Sequence, residues 1–385
     1  MADTFFRNCP DEICISYKSK DRKIKKDCAI YRECRQLVLG LPDFQIVARS
    51  FSRFFDLNEN ADDTKIIKSA KSIKFVEKHD GSIIMIFNYK GIWRLVSRGS
   101  FGENKDVRGD DDKLEDDKDL PEKGSLPSWQ TLFENTIGFT LESLNTSTIV
   151  DNDRSYIFEL CTKYNRVVRP YNTDQVFLLA SRSKTDFTES TDEDLDTIAT
   201  SLKIKRPQIY SVTGYLQAIE LLNQFSITNP MFEGVIAKVE YSEGVFVRAK
   251  LKTESWELMH KSMHKSKIIL TPEMIIQFYL NGSLDKIINE SNTETKKEYI
   301  DSIILKVNDE EKKLITIWNS AKDITNQAEF AIEINKNDGT ELAISKEYKS
   351  ILFKLKKNPE MSIRELWKNS CHIVTGLVMK FLDSP

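Results

Sequence analysis

The residues Phe75-Val76-Glu77-Lys78-His79-Asp80-Gly81-Ser82 set a lysine just ahead of an acid–glycine turn, with an apolar run following. A lysine attacks an electrophile such as a phosphorus centre only as the neutral amine. Its pKa must therefore fall from about 10.4 through desolvation or neighbouring cations. Attack at phosphorus also builds negative charge, which calls for further lysines or arginines and a divalent metal held by carboxylates. Taken alone, Lys78-His79-Asp80-Gly81 also fits an exposed lysine in a hydrophilic hairpin.

Later segments supply the missing types in order: Phe158-Glu159-Leu160, then Phe232-Glu233-Gly234-Val235-Ile236-Ala237-Lys238, then Lys250-Leu251-Lys252. Lys250 and Lys252 share one face of a strand, since alternate residues point the same way. Glu159 and Glu233 are the candidate metal- and ribose-facing acids, the metal being held through water. Each of these is unremarkable singly as a surface charge, but together and in apolar strand contexts they form a set. His79 titrates near neutrality when unperturbed and is expected to be exposed rather than catalytic.

The elements that must position these residues read as an α+β fold. Ser82–Tyr89, Trp93–Ser97, Tyr156–Cys161, Gln175–Ala180, Val235–Val239 and Gly244–Ala249 are rich in β-branched and aromatic residues and predict strands. Turn residues at Tyr89-Lys90-Gly91 and Ser242-Glu243-Gly244 favour hairpins and antiparallel sheets over strand–helix–strand crossovers. Helices are predicted around Ser128–Glu134 and Val212–Gln224. The stretch 102–127 is dominated by Asp, Glu and Lys and broken by Pro121 and Pro127, so it reads as a solvated acidic insertion; metal binding by Asp110, Asp111 and Asp112 is the weaker alternative.

After Lys252 the texture becomes helical. Thr271-Pro272-Glu273 is a helix start and Gly282 a stop. Tyr299, Ile300, Ile303, Ile304, Val307, Leu314, Ile317 and Trp318 recur at helical spacing and read as core. The expected division is residues 1–258, antiparallel sheets with flanking helices, and 259–385, all α.

The chain of 385 residues is 40% hydrophobic and 30% charged, with a formal charge of −3. The acidic stretch from Asp106 to Glu122 offsets dense Lys and Arg elsewhere, so net charge says little about nucleic acid. Six cysteines without a C-x-x-C pair read as reduced thiols rather than a zinc site or disulfide framework. No basic leader followed by a long apolar run opens the sequence, and no run of about 18 apolar residues follows. A soluble, cytoplasmic, monomeric protein with no membrane association is expected.

The ordered set, together with Glu33-Cys34-Arg35, Ile46-Val47-Ala48-Arg49-Ser50 and Arg53-Phe54-Phe55-Asp56-Leu57-Asn58-Glu59, resembles the phage-type RNA ligase 1 family within the covalent lysine nucleotidyltransferases. Ser97-Arg98-Gly99-Ser100, Tyr164-Asn165-Arg166-Val167-Val168 and Trp256 to His260 fit as well, so the resemblance covers roughly Tyr31 to His260. It implies that Lys78 becomes adenylated and that the first domain is an adenylyltransferase using ATP and Mg2+, with Mn2+ as a substitute. It further implies ATP contacts from Arg35, Arg53, Glu77, Asp80, Gly81, Arg98, Glu159, Phe177, Lys250 and Lys252. Arg35 and Arg53 would hold phosphates, Lys250 and Lys252 the α-phosphate, Glu159 the ribose, and Glu159 and Glu233 the metal. Gly81 would allow a backbone approach that a side chain obstructs. Phe177 is a candidate for packing on adenine, with core packing as the equal alternative.

Arg53 and Arg98 stand where the family often has lysine, which changes donor geometry. Trp256 replaces a tyrosine and loses its hydroxyl. The partner implied is RNA with 5′-phosphate and 3′-hydroxyl ends, typically a nicked tRNA, with a separate kinase and phosphatase to prepare those ends. The helical domain would select the RNA, and Lys261, Lys265, Lys267, Lys354, Lys356 and Lys357 either contact phosphates or are ordinary solvated lysines. Three alternatives stay open: a DNA ligase or an mRNA guanylyltransferase with the same lysine chemistry, or an inactive RNA-binding protein. The helical texture after Thr271 argues against the β-barrel domain usual in the first two.

Overall fold

A computed structural model describes residues 4–9, 11–17, 29–98, 100–102, 126–165, 168–169, 171–264, 267–291, 293–336, 346–368, 370–371, 374–376 and 378. Asp110, Asp111, Asp112, Arg166, Val167, Lys265 and nearly all of the acidic insertion lie outside these residues. The chain divides into two compact units, Met1–Ser226 with Met231–Glu257, and Ile227–Pro230 with Leu258–Pro385.

The first unit contains three sheets. One runs in the order β1 (Thr4–Cys9), β2 (Glu12–Tyr17), β3 (Leu37–Gly40) and β4 (Ile46–Ala48). Between its second and third strands lies α1 (Ala29–Glu33). Later in the chain come β5 (Phe55–Asp56), α2 (Ala61–Ser69), β6 (Ile73–Lys78), β7 (Ser82–Tyr89), β8 (Ile92–Ser97), α3 (Trp129–Ile137), β9 (Arg154–Cys161), β10 (Gln175–Ser183), α4 (Asp192–Leu202), β11 (Ile209–Val212), α5 (Tyr215–Thr228), β12 (Gly234–Ser242), β13 (Val245–Lys252) and α6 (Glu254–Lys261). The second sheet is ordered β10-β9-β7-β8 and the third β11-β6-β12-β13-β5. All pairings in the second and third sheets are antiparallel except the short parallel match of β5 with β13.

The alternation of side chains decides what each face of the third sheet does. Ile73, Phe75, Val235, Ala237, Val239, Ala249 and Leu251 pack with Ile67 of α2 and with Ala218 and Leu222 of α5. Lys78, Lys250 and Lys252 are therefore turned to the opposite face. The second sheet buries one face with α3 and α4, through Phe133, Phe158, Leu178 and Leu195, and the other with the first sheet, through Val38, Val47, Met85, Phe87 and Ile157.

The second unit is helical, with α7 (Pro272–Asn281), α8 (Leu284–Glu290), α9 (Lys297–Ala321), α10 (Gln327–Asn335), α11 (Lys346–Lys357) and α12 (Ile363–Lys368). Its only strands among the described residues are the pair Met263–His264 and Lys267–Ile268. Helix α7 follows the sequence signals closely: the Thr271 hydroxyl accepts from Met274 N, Pro272 opens the helix, and Gly282 closes it at φ 73°. Ile300, Ile303, Val307, Leu314 and Ile317 form the buried stripe of α9.

Candidate active site

Lys78 ends β6, where the register sets it opposite Gly234 of β12, and Glu233 immediately precedes that glycine. Lys78 Nζ lies 2.6 Å from Glu233 Oε1. Glu233 is 5% exposed, while the Lys78 side chain remains 24% exposed and open to an incoming substrate. Gly81 N donates to Glu159 Oε1 at 3.1 Å, which brings β9 to the same point. A Cβ on Gly81 would meet Leu160 O at 2.5 Å, so only glycine lets the turn approach β9 this closely. Asp80 holds the loop: its Oδ2 accepts from Val168 N at 2.6 Å and Arg169 N at 2.8 Å, and its own N–H donates to the Tyr171 hydroxyl.

The electrostatics follow from this crowding. Burial works to lower the Lys78 pKa, but Glu233, Glu159 and Asp80 together outweigh it, so the amine is held above its ordinary value as an ammonium. Burial pushes Glu233 and Glu159 up to about 7, against the downward pull of Lys78. Lys250 is lowered to about 8, by burial first and then by Arg35 and the neighbouring lysines. Arg35 thus faces both Lys250 and Glu159, and its guanidinium and Lys250 Nζ both flank the Phe54 ring, at 5.1 and 5.6 Å. Lys252 Nζ reaches Asp56 Oδ2 at 3.2 Å and lies 5.8 Å from the buried Trp256 ring.

Lys78, Asp80, Gly81, Glu159, Glu233, Arg35, Lys250 and Lys252 are therefore assembled around one point. The other candidates are placed differently. Glu77 belongs to the helix-facing alternation of β6, and burial raises its pKa against Arg169, which lies 3.8 Å away. Arg53 lies over the Phe55 ring at 4.9 Å. Arg98 is exposed in the turn after β8. Phe177 is buried opposite Glu159 in the β9–β10 register.

His79 corrects the expectation of exposure. It is 8% exposed, and its ring stacks on Phe177 with centroids 3.6 Å apart and planes 14° from parallel. Burial, with Arg169 and Lys78 nearby, pulls its pKa down to about 3, so it is a neutral packing ring. One face of Phe177 is thereby covered. Tyr171 and Asp56 were not singled out from sequence, although Asp56 lies inside the Arg53–Glu59 segment that carried the resemblance.

The donor set fits a hydrated divalent cation. Three acids surround one ammonium, and Glu233 Oε2 is buried without a hydrogen-bond partner. Among the described residues no group of three or more His, Cys, Asp or Glu is placed to ligate a metal directly, so water must complete such a shell.

Comparison with known proteins gives the family of the chain. A protein of Autographa californica nuclear polyhedrosis virus, named as a bifunctional polynucleotide kinase/RNA ligase, is 28% identical over 284 residues, which cover 71% of this chain and 37% of the relative. An RNA ligase of Rhodothermus phage RM378 is 26% identical over 236 residues, 55% of this chain and 50% of the relative. The chain thus spans between about a third and a half of the length of these relatives. An archaeal ATP-dependent RNA ligase structure overlaps 78% of this chain and 71% of its own at 11% identity and a TM-score of 0.41, too loose a likeness to bear on the chemistry. The model of the family described as RNA ligase matches residues 33–268, well over half of the sequence, and the chain belongs to that family.

Proposed function

We propose that this chain is an ATP-dependent RNA ligase that joins a 5′-phosphate to a 3′-hydroxyl through a Lys78–AMP intermediate. The observation that carries the reading is the Lys78–Glu233 pair at 2.6 Å, set among Glu159, Lys250 and Lys252 by strands of two different sheets, with Arg35 coming from the segment between α1 and β3. Lys78 Nζ, once it has given up its proton, forms a bond to the α-phosphorus of ATP as the bond to the β-phosphate oxygen breaks and pyrophosphate leaves. An oxygen of the RNA 5′-phosphate then displaces Lys78 from that phosphorus, and the lysine regains a proton. Finally the 3′-hydroxyl attacks the 5′-phosphate phosphorus, loses its proton, and AMP departs.

Positioning and charge stabilisation do most of the work in such transfers. Arg35, Lys250 and Lys252 supply the cations for the phosphates, and Glu159 is assigned to the ribose. Glu233 and Glu159 would hold Mg2+ through water, where the metal supplies charge neutralisation at the phosphates. The substrate is inferred to be a broken RNA such as a nicked tRNA, selected by the helical unit. Its ends would be prepared by a separate kinase and phosphatase; the viral relative is itself named as a kinase and ligase in one protein.

Incubation of 5′-labelled, 5′-phosphorylated RNA with the protein, ATP and magnesium should yield an adenylated RNA and then a joined product. Joining of nicked DNA in preference to RNA, or transfer of GMP from GTP, would replace this reading.

A further inference from the structure

The face of the third sheet that carries Lys250 continues two residues further along β13 to Arg248, roughly 7 Å away along the strand. There a recess of about 220 Å³, unused by the chemistry above, is lined by Phe54, Phe187 and Phe246 with Arg49, Arg182 and Arg248 among others. That space far exceeds the roughly 15 Å³ that one water needs. Phe54 is shared, since its ring also faces Arg35 and Lys250.

The recess is built. The Arg49 guanidinium lies 3.4 Å from the Phe187 ring centroid, its side chain is only 11% exposed, and its Nε is buried without a hydrogen-bond partner. Phe187 has φ +67°, a left-handed conformation that bulky side chains avoid and that persists only where the surroundings impose it. Its carbonyl accepts from Arg182 Nε at 3.0 Å. Glu33 is shared between Arg49 at 3.0 Å and Arg182 at 3.3 Å. Glu189 pairs with Arg248, Asp63 with Arg32, and Asp186 stands at the rim hydrogen-bonded to Thr188. Asp186 and Glu189 line the recess with the four arginines, and Glu33 and Asp63 pair with Arg49, Arg182 and Arg32 from outside it. Arginines compensated in this way, beside three aromatic rings, disfavour pyrophosphate or a triphosphate tail, both multiply negative. The lining suits a planar base with a single phosphodiester charge, which stacks on aromatic rings and guanidinium planes.

We propose that this recess holds one nucleotide of the RNA strand close to the end being joined, its base against Phe187 and Phe246 and its phosphate on the arginines. The assignment rests on the RNA ligase reading and adds an RNA subsite to it.

Two variants of the full chain test the subsite: Arg49→Lys, which keeps the charge and loses the planar fork, and Val245→Glu, at a rim residue that is 46% exposed. The probe is a short fluorescein-labelled, 5′-phosphorylated single-stranded RNA, read by anisotropy beside Lys78 adenylation with ATP alone and a thermal melt. Expected is RNA affinity weakened about tenfold in both variants, with an unchanged ATP KM for adenylation. Unchanged RNA affinity in Val245→Glu, or a raised ATP KM in both variants, would overturn the assignment, the latter in favour of the triphosphate. RNA affinity is read independently of adenylation. A wild-type protein that never became adenylated would therefore sink the ligase reading, and the recess would still be judged on RNA affinity.

Discussion

Lys78 must lose a proton to act, yet its three acidic neighbours hold that proton on. Glu233 therefore has two opposed effects on it, raising its pKa and anchoring the positive charge that the phosphates need. Glu233→Gln keeps the size and removes the charge. Adduct formation should slow by roughly 10²-fold, the scale of one lost electrostatic contact in a dry site, while the pH at which it is fastest moves lower because Lys78 deprotonates more readily. A single-turnover pH profile of both proteins checks this; an unmoved optimum would mean that Glu233 only packs.

Lys250 gives a second pH signature. Its pKa lies below the ordinary lysine value, at about 8, so its charge is present below that pH and is lost above it. ATP KM for adenylation should rise between pH 7 and 9, and Lys250→Arg, which stays protonated throughout, should flatten that rise. At this scale the sequence was informative about Lys78, Glu159, Glu233, Lys250 and Lys252, because the chemistry restricts residue type. It misplaced His79 at the surface, because the stacking partner that buries it, Phe177, comes from a strand nearly a hundred residues away and depends on the β9–β10 register.

Elements were legible where local pattern and tertiary role coincided. The predicted strand Ser82–Tyr89 is β7, and Gly282 stops α7 where a left-handed residue is needed. Val212, predicted at the head of a helix, instead ends β11 against Ile73, because a β-branched residue beside a sheet edge takes the strand when a partner is present. The paired strands β1 and β2 carry Arg7, Asn8 and Glu12 among apolar residues, and no clean alternation marked them in advance. Gly234 shows how an element sets the site. It has φ +144°, and an added Cβ would lie 2.1 Å from Leu251 O. Gly234→Ala should therefore push β12 from β13 and carry Glu233 away from Lys78. A loss of about 1–3 kcal/mol in denaturant unfolding, with adduct formation falling far more than the residual stability explains, is the expected result.

At the scale of the molecule, the residues assigned to lysine chemistry all lie in the first unit, and the second unit has its own core, in which Trp367 is fully buried and stacks on Tyr348. Trp367→Ala should destabilise that unit by about 3–5 kcal/mol, seen as an earlier thermal transition. Adenylation of Lys78 by ATP should survive, while RNA joining declines if the helical unit selects the substrate. Lys267 pairs with Glu294, and Lys356 donates to the backbone carbonyl of Ile324, so at least these two of the basic residues considered for RNA have structural partners.

The most direct measurement is covalent labelling of the full chain with α-labelled ATP and magnesium beside Lys78→Ala, followed by denaturation and peptide mapping. The account predicts one AMP on the peptide containing Lys78, absent in the variant and not formed from GTP. Label on another lysine, label from GTP, or no label at all would contradict it.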